Sequence, residues 1–134
     1  MALLEWDDRF SVGVSEIDEQ HKKLINMLCE FYDSIRDDRE GTFKKLLQGL
    51  ADYTVYHFAT EETYMKDFEF AGTDAHIREH RMFVEKVREV QERLDAGKLV
   101  VTFEITNFLR DWVSNHILGT DRKYSKCFVD HGLR

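Results

Sequence analysis

Apolar residues recur along most of this chain at intervals of three and four, which is the spacing of one face of an α-helix. No alternating pattern of useful length predicts a strand, and only residues 98–103 are ambiguous. The pattern predicts helices with bounds near 17–35, 43–68, 73–94, 105–116 and 122–129.

Short polar or glycine-containing segments separate these stretches. Asp37 to Gly41 is typical of a solvated turn, and Asp95-Ala96-Gly97 of a helix end. Thr73 and Thr102 are expected to cap the helices that follow them. Long amphipathic helices joined by short turns favour an all-α, up-down-up-down four-helix bundle.

The two ends of the chain are expected to add to this bundle. Trp6, Phe10 and Val14 predict an N-terminal arm packed over it, and the last apolar stretch predicts a short C-terminal helix. Because 134 residues is the length of one domain, residues 1–134 are expected to form a single domain.

Charge and targeting signals exclude several classes of partner. The net charge is −7 without a basic stripe, which argues against nucleic acid. No apolar run approaches the length of a membrane span, and the amino terminus lacks a basic segment followed by an apolar one, so no membrane association and a cytoplasmic location are expected. Cys29 and Cys127 lack metal-binding spacing and are not expected to form a disulfide.

Histidines interrupt the apolar helix faces at positions where the periodicity requires core residues. Five of the six do so, and only His131 is expected at the surface. An unpartnered buried imidazole costs about 1 to 3 kcal/mol, so five of them require a joint use. A centre of iron, zinc or manganese provides one. The five inward histidines are His21, His57, His76, His80 and His116.

The spacing of the ligand candidates predicts two metal ions. His57 and Glu61 are four residues apart, as are His76 and His80, so each pair projects to one side of its helix. Five imidazoles and a carboxylate exceed the four ligands of a tetrahedral zinc site.

A second carboxylate is expected to bridge the two ions. Asp121 follows His116 by five residues, about 140° around an ideal helix, and reaches the site only if the helix ends or distorts. Gly119-Thr120 is the expected position of that change.

These residues stand within longer segments that resemble the hemerythrin family, in its bacterial form, over nearly the whole chain. Two departures from the family pattern are Phe70-Ala71-Gly72, where relatives often carry proline, and Val113, where leucine is familiar. The matching segments are Trp6, residues 13–14 and 17–24, His57-Phe58-Ala59-Thr60-Glu61-Glu62, residues 76–80, and residues 112–117 with Asp121 and Tyr124.

The resemblance implies a centre of two iron ions, Fe²⁺ or Fe³⁺, joined by an oxo or hydroxo group. It implies that one iron takes His76, His80 and His116, and that the other takes His21 and His57. Glu61 and Asp121 would bridge both. The second iron would then have five ligands and an open position for dioxygen, and an apolar lid of Leu24, Phe58, Trp112 and Ile117 would limit the entry of water.

The implied function is reversible binding of dioxygen, as a carrier, a store or a local supply for an unknown oxygen-consuming client, without catalysis. Three alternatives stay open: sensing of oxygen, nitric oxide or redox state, a di-iron oxidase, and metal storage. The sequence contains no Glu-x-x-His motif, two of which are typical of ferritin-like oxidases.

Residues around the ligands carry weaker expectations. Glu62 and Glu79 are expected to face solvent. Tyr64 and Tyr124 are expected to be packing residues.

Overall fold

The computed structural model describes residues 3–36, 40–96 and 103–134, which form helices and turns without a strand. It confirms the all-α four-helix bundle. None of the described helices is long and apolar enough to cross a membrane. The helices are α1 (Ser15–Arg36), α2 (Glu40–Asp67), α3 (Thr73–Asp95) and α4 (Phe103–Asn115), followed by a π-helical segment (His116–Asp121) and α5 (Arg122–Asp130).

The bundle is held by two apolar clusters. Helix α1 packs against α2 and α4, and α2 packs against α3. Helices α3 and α4 meet where the rings of Phe83 and Trp112 stack with centroids 4.4 Å apart. The larger cluster includes Leu24, Leu28 and Phe31, and the smaller one includes Ile17, Met65 and Tyr124.

Helix ends agree with the sequence predictions to within a few residues. Helix α2 begins at Glu40, so Glu40 and Gly41 are helical and their assignment to a turn was wrong. A first helical turn can be polar without breaking the apolar periodicity, which is why the pattern missed it. Thr73 is the first residue of α3 and not its cap, since its hydroxyl donates to the Phe70 carbonyl at 2.6 Å. Residues 98–102, with the predicted cap Thr102, lie outside the described residues.

The turn between α2 and α3 explains one departure from the family pattern. Glu69 takes a left-handed conformation (φ 53°), and the Phe70 amide donates to the Met65 carbonyl at 2.9 Å, which closes the end of α2. A Cβ on Gly72 would stand 2.8 Å from the Phe70 ring. Glycine at 72 therefore lets this ring pack against the start of α3.

The N-terminal arm is pinned to α1, as the sequence predicted. Asp18 accepts hydrogen bonds from the Ser11 hydroxyl at 2.6 Å and from the Val12 amide at 2.9 Å. Phe10, Val12 and Val14, which belong to the arm, are buried in the apolar clusters. The arm therefore shields one side of the bundle close to His21, one turn further along α1.

We expect Asp18→Ala to detach the arm and to lower the free energy of unfolding by about 1 to 2 kcal/mol, because two hydrogen bonds to a carboxylate are lost. Chemical denaturation measures this change. Glu19→Ala is the matched control, since Glu19 makes only an exposed ion pair with Lys22, and it should change stability by less than about 0.5 kcal/mol. Equal stability of the two variants would contradict the pinning role of Asp18.

Candidate metal centre

Seven polar side chains meet in the interior of the bundle, between the two apolar clusters. Each is at most 4% exposed. They come from α1, α2, α3 and the π-helical segment that directly follows α4. The seven are His21, His57, Glu61, His76, His80, His116 and Asp121, the complete set that the sequence predicted.

Each of the two carboxylates, Glu61 and Asp121, lies between histidines on two sides. One oxygen of Glu61, Oε2, lies 3.3 Å from His21 Nε2 and 3.4 Å from His57 Nε2, whereas Oε1 lies 3.2 Å from His80 Nε2. A carboxylate with one oxygen on each side has the orientation of a bridge between two cations.

Asp121 repeats this arrangement. Its Oδ2 lies 3.1 Å from His21 Nε2, and its Oδ1 lies 2.9 Å from His76 Nε2 and 3.0 Å from His116 Nε2. The site therefore divides into a two-histidine half (His21 and His57) and a three-histidine half (His76, His80 and His116), with Glu61 and Asp121 between them.

The π-helical segment brings Asp121 into the site. On a regular α-helix, Asp121 would point away from His116, but the wider i to i+5 turn of His116–Asp121 returns residues five apart to the same side. Gly119 and Thr120 lie inside this segment, where the sequence predicted the distortion.

Three of the histidines are oriented by hydrogen bonds from their outer nitrogen, Nδ1. His80 donates to Glu62 at 2.8 Å, His116 donates to Glu79 at 3.1 Å, and His57 donates to Gln20 at 2.7 Å. The expectation that Glu62 and Glu79 face solvent was incomplete: their side chains are 24% and 40% exposed, but each also contacts a histidine of a neighbouring element. Gln20 was missed altogether. Gln20 directly precedes His21, just as Glu62 directly follows Glu61, and this adjacency to a candidate ligand was the signal that could have identified it.

Tyr124 is also more than a packing residue. Its ring is fully buried, and its hydroxyl donates to Glu61 Oε2 at 2.5 Å. Burial and the neighbouring carboxylates Asp121 and Glu61 raise its pKa well above the ordinary value. The phenol therefore stays protonated and holds one oxygen of Glu61 in place. Tyr64, by contrast, pairs with Glu16 at the surface, and His131 is exposed as predicted.

The carboxylates control the charge of the metal-free site. Burial lowers the pKa of His21, but Asp121 and Glu61 outweigh it and raise this pKa to about 10. Burial likewise opposes protonation of His80, whose pKa Glu61 and Glu62 raise to about 9. Burial and Glu61 raise the pKa of Asp121, yet His116 and His21 hold it well below the usual range. The two buried anions are thus balanced by protons on histidines.

The donor set fits metal ions better than it fits protons. Among the described residues, six buried side-chain atoms of the site have no hydrogen-bond partner, including both oxygens of Asp121 and Nε2 of His76. His80 and His116 also present their Nε2 atoms to each other at 3.1 Å, although only one can donate. Buried nitrogen and oxygen atoms whose lone pairs converge with too few hydrogen-bond donors are arranged to bind cations.

The donor atoms form two groups that share a carboxylate. In one, ligand atoms of His21, His57 and Glu61 lie within 4.8 Å of one another. In the other, atoms of Glu61, Asp121 and the three remaining histidines do the same. Nitrogen and carboxylate ligands in this number suit two first-row transition-metal ions, for which these seven residues are the candidate ligands.

Apolar side chains adjoin the histidine rings of the site. Leu24, Phe58 and Ile117 are buried in the larger apolar cluster, and Trp112 is half-buried against it. The Phe58 ring stacks on His80 with centroids 3.7 Å apart, and Trp112 stacks on His116 at 4.5 Å. The structure thus brings all four predicted pocket residues to the apolar cluster beside the centre.

Comparisons with known proteins find one family for most of this chain. The family described as "Hemerythrin HHE cation binding domain" matches residues 12–127. A bacteriohemerythrin of Methylococcus capsulatus is 35% identical over 128 residues, covering 95% of this chain and 98% of that protein. A bacteriohemerythrin of Pseudomonas aeruginosa is 35% identical over 124 residues, covering 92% and 80%. A crystal structure of wild-type hemerythrin superposes with a TM-score of 0.91 at 34% identity, covering 95% and 98%.

We expect the metal-free protein to lose stability as the pH rises from about 6.5 to about 10. In unfolded chains the histidine pKa is about 6.5, whereas that of folded His21 is about 10 and that of His80 about 9. The folded state therefore holds more protons in this window, and the free energy of unfolding falls by at most about 1.4 kcal/mol per pH unit for each histidine. Thermal melts at pH 6.5, 8 and 9.5 measure this.

His21→Asn should reduce the loss of stability with rising pH. His131→Asn, at an exposed position, should leave that loss unchanged. Bound metal should abolish the fall, because metal-ligated nitrogens cannot hold protons. A melting temperature of the metal-free protein that is constant or rises over this range would contradict the charge balance described above.

Proposed function

Because the chain belongs to the hemerythrin family, we propose that it binds dioxygen reversibly at two iron ions held inside the bundle. Binding of dioxygen at a non-haem di-iron centre is the function that the family and the fold support. The observation that carries the proposal for this chain is the orientation of Glu61 and Asp121, each with one oxygen toward each histidine group.

We propose that the seven buried side chains are the iron ligands, in the two halves described above. Iron held by these residues would supply the redox chemistry needed to bind dioxygen reversibly. The protein supplies the rest: Glu61 and Asp121 hold the two halves together, Tyr124 fixes Glu61, and Glu62 and Glu79 fix two of the imidazoles.

The two halves differ in the number of protein ligands, which supports a division of roles. The three-histidine half offers three imidazoles, whereas the two-histidine half offers His21 and His57 only. We therefore propose that dioxygen is taken up on the two-histidine side. Leu24 lies one turn from His21 along α1. The Phe58 ring, which stacks on His80, also lies 5.9 Å from the His57 ring, so apolar side chains border this side as well.

A dry surrounding is the second requirement for reversible binding. A groove of 390 Å³ between α2 and α3 reaches from the surface to Phe58, Glu62 and His80. Phe58 is only 4% exposed, and its ring lies flat on His80. We infer that Phe58, with Leu24, Trp112 and Ile117, keeps water from the interior and so slows the loss of reduced oxygen species.

The charge of the site favours binding over oxidation. Its candidate ligands are five neutral imidazoles and two carboxylates, whereas ferritin-like oxidases use four carboxylates and two histidines. Fewer negative ligands stabilise high oxidation states of iron less. Proteins of the hemerythrin family are typically oxygen binders, and we propose that this chain likewise acts as a carrier or store without catalysis. Its two cysteines are free thiols, which suits a reducing compartment such as the cytoplasm.

Metal analysis and optical titration test the function directly. We expect protein purified without added metal to contain two irons per chain. After anaerobic reduction, air should produce a charge-transfer band that disappears when oxygen is removed. His131→Ala should preserve both results, whereas His76→Ala should lower the iron content. One zinc without iron, or rapid irreversible oxidation without a stable band, would contradict the proposal.

Leu24→Ala tests the apolar lid. We expect it to keep two irons per chain but to speed autoxidation of the oxygen-loaded protein several-fold, because the lost side chain admits water. Leu47→Ala is the matched control, since Leu47 is equally buried but belongs to α2 ten residues before His57. Both variants should lose about 2 to 5 kcal/mol of stability. Equal autoxidation rates in the two variants would remove Leu24 from the lid.

A further inference from the structure

The histidines of the two halves have chemically different outer partners. In the three-histidine half, Nδ1 of His80 and of His116 face the carboxylates of Glu62 and Glu79, whereas Nδ1 of His76 has no hydrogen-bond partner among the described residues. In the two-histidine half, Nδ1 of His57 faces the neutral amide of Gln20, and Nδ1 of His21 has no hydrogen-bond partner among the described residues. The two-histidine half therefore has the neutral amide of Gln20 at the outer position where the three-histidine half has carboxylates.

The amide of Gln20 has a defined orientation. Its side chain is buried, and its oxygen Oε1 lies 2.7 Å from His57 Nδ1. Its nitrogen donates to the Thr60 hydroxyl at 3.4 Å. That hydroxyl in turn donates to the Tyr56 carbonyl at 3.2 Å, so its oxygen is free to accept from Gln20. These two contacts favour the amide orientation with its oxygen toward His57.

This orientation selects one tautomer of His57. Because the amide oxygen can only accept, Nδ1 carries a proton, which leaves Nε2, on the side of Glu61 and the interior, as the nitrogen available to a metal. An amide turned the other way would place a donor against Nδ1. That orientation would favour a proton on Nε2, and this proton would compete with a metal ion for the same nitrogen.

The charge of the outer partner also affects the ligand. A carboxylate that accepts from Nδ1 makes the imidazole a more basic ligand and favours the higher oxidation state of the metal, whereas an amide does so much less. The three-histidine half has two such carboxylates, and the two-histidine half has none among the described contacts.

We propose that Gln20 is a positioning residue of the two-histidine half: it holds His57 in the metal-binding tautomer while withholding the negative charge that Glu62 and Glu79 supply to the other half. The inference builds on the proposed di-metal centre. Its consequence is an electronic difference between the two halves that the ligand set alone does not produce.

Zinc binding to the metal-free protein tests the positioning role without oxygen chemistry. We expect wild type to bind two zinc ions, and Gln20→Leu to weaken one of the two binding steps by about tenfold or more. Nitrogen NMR of the zinc-loaded protein should show the His57 Nδ1 proton in wild type and its altered signal in Gln20→Leu. Gln20→Glu, which retains an acceptor, should restore both. Gln48→Leu, at an exposed glutamine of α2, should change neither.

The electronic role is tested by the reduction potential of the iron-loaded protein. Gln20→Glu should lower the potential, because it adds a carboxylate, and Glu62→Gln should raise it, because it removes one. A purely structural role for Gln20 predicts no such opposite shifts.

Three results would overturn the inference. Zinc affinities and NMR signals unchanged in Gln20→Leu would remove the positioning role, as would equal weakening of both zinc steps together with a lower melting temperature. Potentials that do not shift in opposite directions would remove the electronic role. A wild-type chain that binds fewer than two zinc ions would contradict the proposed function as well, which separates the two failures.

Discussion

The structure depends on two carboxylates buried among five imidazoles. Glu61 and Asp121 are fully buried, and a carboxylate in a protein interior is tolerated only when cations or donors compensate it. In the metal-free protein, raised histidine pKa values provide that compensation. Metal ions can replace those protons, so the same arrangement that stabilises the fold prepares the site for metal.

The surrounding structure serves to hold this polar centre inside an apolar bundle. One apolar cluster lies on each side of it, Tyr124 fixes Glu61 from one side, and the rings of Phe58 and Trp112 lie against His80 and His116 from the other. A site enclosed in this way excludes water, which strengthens every charge interaction inside it. Stability and the proposed binding of dioxygen therefore place the same demand on the packing.

The outer partners follow a regular rule across the bundle. Gln20, Glu62 and Glu79 each stand next to a candidate ligand in sequence, and each contacts a histidine of the next element. One residue turns an α-helix by about 100°, so a neighbour of an inward residue lies on the flank that faces the adjacent helix. On a helical pattern such flanking polar residues look solvent-exposed, which is why Glu62 and Glu79 were predicted to face solvent.

The sequence by itself determined the helices, their inward faces and six of the candidate ligands, because five histidines and Glu61 at core positions break the apolar periodicity visibly. Asp121 lies off that periodicity and followed from the need for a second carboxylate and from the family resemblance. The sequence also indicated that the helix must distort before Asp121. Only the tertiary structure decided that this distortion is a π-helical turn, that each carboxylate faces both halves, and that Gln20 is the partner of His57. The last two relations depend on the relative rotation and height of separate helices, and periodicity within one helix carries no information about its neighbour.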